Sequence, residues 1–124
     1  MAQFDAGKVS GTIGQALAGP GGIGLVLNVF AGLPGVAHTP AKRGMFKSQP
    51  ARVQIGDWRY EVTSDHRLLA AHIVAGVVIG EEVLLADAVG PHLARSLGQL
   101  VARLGAAIVT NIDAAVEALS AGAG

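Results

Sequence analysis

The chain has 124 residues, no cysteine, and nine basic side chains balanced by nine acidic ones. That length fits a single domain over 1–124 that buries a core without disulfides or metal, and the missing thiols exclude a disulfide framework, thiolate zinc sites and thiol catalysis. The even charge removes any overall field drawing in nucleic acid or anionic lipid.

The balance hides a division. Residues 42–67 carry six basic groups against three acidic ones, whereas residues 68–124 carry two against five. A basic middle and an acidic final stretch can satisfy each other within one molecule or between two copies. The opening MAQFDAGK lacks the basic region and apolar run of a secretory signal. The aliphatic stretch 23–36 is broken by Asn28 and Pro34, and 68–86 by His72, Glu81 and Glu82, so neither is expected to span a membrane. A soluble cytoplasmic protein is expected.

Along the chain, Val9, Ile13, Ala16 and Leu17 recur at helical spacing over 4–18, with Asp5 placed to cap. Gly7, Gly11 and Gly14 interrupt this helix at about 1 kcal/mol each relative to Ala, which predicts a flat strip on which another element packs. Gly19–Gly22 breaks the chain. The all-apolar run from Ile23 to Leu33 then predicts a buried second helix, with a strand as the alternative. Pro34, Gly35, Pro40, Gly44 and Pro50 punctuate a long connection over 33–50 of the kind that forms binding loops or lids.

In ARVQIGDWRYEVTSDHR (51–67) a two-residue turn at Gly56-Asp57 pairs Ile55 with Trp58 and Val53 with Tyr60 on one face, and Gln54 with Arg59 and Arg52 with Glu61 on the other. Residues 68–74 and 77–83 predict two further strands joined at Ala75-Gly76. Apolar residues occupy both of their faces, so cover from two sides is expected, by helices or by a second subunit.

From Asp87 the period becomes helical. Val89, Leu93, Leu97, Leu100, Val101 and Leu104 form a stripe, with His92, Arg95, Ser96, Gln99 and Arg103 on the remaining faces. Pro91 is expected in the first turn and Gly105 at the stop. A last helix capped by Thr110 or Asn111 buries Ile112, Val116 and Leu119, and the tail SAGAG is expected to fray. The fold class is therefore α+β: two N-terminal helical segments, a four-stranded antiparallel meander, and two C-terminal helices packed on the sheet.

Gly19-Pro20-Gly21-Gly22-Ile23-Gly24 matches the dinucleotide pattern G-x-G-x-x-G, but a helix and not a strand precedes it, so chance accounts for it better; a phosphate nest at the second helix remains open. His38, His66, His72 and His92 show no metal-binding spacing. On a sheet His72 can neighbour Glu61 or Glu81, an arrangement that serves as a general-base pair in enzymes and more commonly as an ordinary cross-strand contact. Ala94 to Gly98 resembles a nucleophile elbow only loosely, since Ser96 falls mid-helix where no strained turn can form. No cofactor, metal or catalytic residue is expected.

Basic Lys42, Arg43, Lys47, Arg52 and Arg59 accompany Phe46, Trp58 and Tyr60, ingredients of a single-strand nucleic-acid surface. The alternation separates them: Trp58 and Tyr60 point with Val53 and Ile55, the arginines away. The phrases FAGLPGV (30–36), QIGDWRYEV (54–62) and AVGPHLARSLGQ (88–99) resemble a small family of uncharacterised proteins from mycobacteria and related actinobacteria, over most of the chain. The resemblance implies no activity, cofactor or site residue.

Two main functions follow. The first is a non-enzymatic interaction module that self-associates as a homodimer, with an acidic protein as another partner for Lys42, Arg43, Arg52 and Arg59. The second is a small-molecule pocket, catalytic or not, between the sheet and the 33–50 connection, with His38, Arg43, Tyr60, Glu61 and His72 as its polar groups. Nucleic-acid binding through the basic middle ranks third.

Overall fold

A computed structural model describes residues 4–40, 42–43 and 48–123, and of these the side chains of 42, 43, 48, 49, 122 and 123 fall outside the description. Helix α1 (Ala6–Ala18) starts at Asp5, whose carboxylate accepts from the Lys8 amide. Helix α2 (Gly22–Ala31) buries Val26, Leu27 and Phe30. These elements are helical because their apolar positions recur every three to four residues, and Gly19–Gly21 supplies the break between them.

The stretch expected as one long connection is partly ordered as strands. β1 (Ala37–Thr39) pairs antiparallel with β4 (Arg52–Ile55), and β2 (Lys42–Arg43) pairs with β3 (Ser48–Gln49) in a small ribbon between them. Residues 44–47, including Phe46 and Lys47, lie outside the described residues. β5 (Trp58–Val62), β6 (Leu68–Val74) and β7 (Val77–Leu84) complete a sheet in the order β1-β4-β5-β6-β7. The expected meander thus gains a fifth strand at the β4 edge. Its first hairpin has the register that the alternation predicts, Ile55 opposite Trp58 and Arg52 opposite Glu61, because Gly56 takes the positive φ of 61° that this tight turn demands.

Helix α3 (Ala86–Leu104) and helix α4 (Ala107–Ala123) follow. α2 and α3 contact β5 and β4, and α1 and α4 pack on them. The core lies between helices and sheet, where Ile13, Phe30, Ile55, Tyr60, Leu93, Leu97 and Ile112 are fully buried. Burying such side chains is worth about 1.5–3 kcal/mol each.

Several local expectations change. α4 begins at Ala107, so Thr110 and Asn111 lie inside it and cap nothing, and it continues through the tail to Ala123. Pro91 sits in the second turn of α3 and not the first, where its missing N–H leaves the Asp87 carbonyl without an intrahelical donor. The glycines of α1 form no packing strip: a Cβ at Gly11 or Gly14 would meet nothing within 4 Å. The close approach comes from α3, where a Cβ on buried Gly90 would stand 2.6 Å from the Ser10 carbonyl oxygen. Periodicity locates a glycine on a face without saying what that face meets.

Candidate functional site

Side chains alternate across a strand, so the sheet has two distinct surfaces. Val53, Ile55, Trp58, Tyr60, Val62, Leu68, Ala70, His72, Glu82 and Leu84 point towards the helices; Arg52, Gln54, Arg59, Glu61, Leu69, Ala71, Ile73, Val78, Glu81 and Val83 point away. Among the described residues the helices pack on the first surface, burying Val53, Ile55, Tyr60, Leu68, Ala70 and Leu84 and leaving Val74, Val77 and Glu82 exposed.

A polar cluster sits under α3 on the covered surface. The Tyr60 hydroxyl lies 2.7 Å from His92 Nδ1 and 2.5 Å from Ser96 Oγ. Trp58 stacks on His72, ring centres 4.6 Å apart, and meets the His92 ring edge-on at 4.4 Å. Beyond it, Glu82 Oε1 stands 4.0 Å from His92 Nε2. His92 and Ser96 are four residues apart and therefore share one helix face.

Burial sets the protonation states here. It pushes the Tyr60 phenol well above its ordinary value, against the lowering effects of the Ser96 hydrogen bond and Arg95. It also lowers the His92 imidazole, partly offset by Glu82. Both groups are therefore neutral near neutral pH. Ser96 can donate to Tyr60 and Tyr60 to His92 Nδ1, which satisfies all three buried atoms. Ser96 is 1% exposed and bonded to the phenol, so its oxygen is shielded from any substrate. The cluster acts as a clamp between sheet and helix, joining β5 to α3 through Tyr60, His92 and Ser96.

This cluster joins Tyr60 and His72 of the expected site residues and adds His92, Ser96 and Glu82. Sequence alone places Ser96 on a polar face; the spacing 89, 93, 96, 100 shared with the buried stripe was the available signal. The expected approach of His72 to Glu61 or Glu81 does not form. Glu61 pairs with Leu69 on the opposite surface, and a bulge between His72 and Ile73 leaves Ile79 unpaired, moving Glu81 opposite Ala71 and Glu82 opposite Ala70. A regular ladder would have set Glu81 beside His72.

Tyr60 and Glu61 lie on opposite sides of the sheet and cannot line one pocket. His38 is exposed on β1 beside a hollow of about 180 Å³ reaching Leu27, Asn28 and Pro50, below the roughly 300 Å³ at which ligand pockets begin. Lys42 and Arg43 belong to β2.

On the uncovered surface Arg52 Nε faces Glu61 Oε2 at 3.7 Å. One row across the strands reads Gln54, Arg59, Ala71, Glu81. Leu69 and Ile73 are half-buried beside it, and Val78 and Val83 are 38% and 47% exposed. At the β6–β7 tip Val74 and Val77, on the helix side, and Ile79 in the bulge are also exposed. The uncovered surface is thus an apolar strip with Arg59 and Glu61 along its β5 side and Glu81 on its β7 side.

The model of a family described as a domain of unknown function, DUF5073, matches residues 1–121. The chain belongs to the DUF5073 family. No curated protein and no solved structure matches the DUF5073 chain. Among its described residues no helix is long and apolar enough to cross a membrane, and no three His, Asp or Glu side chains gather as a metal site.

Proposed function

We propose that this protein is a non-enzymatic interaction module that forms a homodimer through the uncovered surface of its sheet. The observation that carries this reading is the row Arg59, Ala71, Glu81 on β5, β6 and β7. A two-fold axis running along β6 exchanges β5 with β7, so Arg59 of each copy faces Glu81 of the other. Two identical ion pairs result, as an isologous contact requires. Between them Leu69, Ile73, Val78 and Val83 supply the apolar centre, and aligned packing of two twisted sheets is an ordinary arrangement for such surfaces.

Cytoplasmic residence and an actinobacterial source belong to this proposal, as does Arg52 or Arg59 contacting an acidic partner in place of the second copy. Charge reversal tests it. Arg59→Glu and Glu81→Arg are each expected to weaken the dimer about tenfold or more in sedimentation equilibrium, and the double reversal to recover most of the loss, since coupled charges at an interface are non-additive. Wild-type protein that stays monomeric at micromolar concentration, or a double variant no better than either single one, would sink the proposal.

A further inference from the structure

A cavity of about 840 Å³ lies on the helix side of the sheet, away from the dimer surface and from the 33–50 connection. One wall is the glycine run that leads into α2, Gly21 before the helix and Gly22 and Gly24 in its first turn, where backbone replaces side chains. The floor is aliphatic: Leu68, Leu84 and Val89 are each less than a tenth exposed. Among the described residues no Phe, Tyr or Trp lines it. The volume falls within the roughly 300–1,000 Å³ of small-molecule sites, which are mostly apolar with a few placed polar groups.

The ionisable side chains that line this cavity are His66 and Arg67, both basic. The turn that carries them is tightly held. Thr63 N–H donates to the Arg67 carbonyl at 2.8 Å, Thr63 Oγ1 accepts from the Arg67 amide at 3.0 Å, and His66 N–H donates to the Thr63 carbonyl at 3.0 Å. His66 is held at a φ of 62°, a conformation uncommon outside glycine. Arg67 Nε is 3.4 Å from Asp65 Oδ2, and both side chains are more than half exposed, so water screens that pair and the guanidinium keeps donors for a second anion.

We propose that this cavity binds a small aliphatic carboxylate, its saturated tail against Leu68, Leu84 and Val89 and its head group on Arg67. The G-x-G-x-x-G run then serves as a bare wall that leaves room for the tail, and no dinucleotide is involved. This site is separate from the dimer surface, so either proposal can fail without the other.

The test uses the full chain and decanoate, with decanol and decyltrimethylammonium as controls, all below their aggregation concentrations. Methyl NMR is expected to show decanoate shifting the Leu68, Leu84 and Val89 signals. Arg67→Ala is expected to weaken decanoate about tenfold, the effect of losing one hydrogen bond to a charged group, and to leave decanol unchanged. Arg67 is largely exposed, so its removal spares the fold, and Arg67→Lys is expected to restore most of the affinity. The inference is overturned if decanoate leaves those methyls unmoved, if the cationic amphiphile binds as well as the anion, or if Arg67→Ala weakens acid and alcohol alike.

Discussion

Tyr60 holds its place through three contacts of different kinds: a buried ring, a hydrogen bond to Ser96 and another to His92. Tyr60→Phe keeps the ring and strands the two partners, so a loss of about 1–3 kcal/mol is expected in urea denaturation, with Ser96→Ala costing about 1 kcal/mol because Tyr60 then still reaches His92. His92 adds a pH dependence with a fixed sign. Burial holds its folded value below the ordinary 6.5, so as pH falls through that value the unfolded chain takes up a proton that the folded chain refuses, and stability drops. Glu82 on β7 opposes this and Arg95 reinforces it, while Tyr60 stays neutral and His72 lies across Trp58. Wild-type protein is expected to lose more stability between about pH 7 and about pH 5 than His92→Gln, as measured by denaturant midpoints. The inward face of the first hairpin was legible, since Val53, Ile55, Trp58 and Tyr60 alternate without interruption. Tyr60's partners were not, because they arrive from a helix 32 and 36 residues further on.

Turns and helix crossings decide which elements tolerate change. Ala75 begins the β6–β7 turn at a φ of 51° and Gly76 follows at 80°, a pair of left-handed residues of which only the second lacks a Cβ. Ala75→Gly or Ala75→Asn is expected to raise stability by about 1 kcal/mol, readable as a higher melting temperature. Gly90 and Gly11 make an opposed pair. Gly90→Ala drives a methyl into the Ser10 backbone and is expected to cost about 1–3 kcal/mol through overpacking. Gly11→Ala points into open space and is expected to stabilise α1 by about 1 kcal/mol. All four main helices and the four principal strands could be read from period and punctuation. β1 could not: Ala37, His38 and Thr39 are exposed, so no apolar alternation marks them and only pairing with β4 makes them a strand.

For the whole molecule the governing fact is a sheet with one covered surface and one bare one. The apolar faces of β6 and β7 predict cover on both sides; the chain's own helices bury Leu68, Ala70 and Leu84 on one side but leave Val74, Val77 and Glu82 exposed there, and the proposed second copy covers the other side. High salt is expected to weaken that dimer while leaving part of it intact, because screening acts on the Arg59–Glu81 pairs and spares the apolar strip; sedimentation at low and high ionic strength checks this. The division depends on the bulge at Ile79. A strand is read two letters at a time, and one additional letter would ordinarily exchange the meanings of everything after it. Here Ile79 is skipped, as a silent letter is skipped in speech, so Glu81 still spells the outer surface and Glu82 the inner one. Deleting Ile79 should therefore leave the sense of the strand intact, whereas forcing Ile79 into the ladder would turn Glu81 inward beside His72 and erase the acidic half of the proposed handshake.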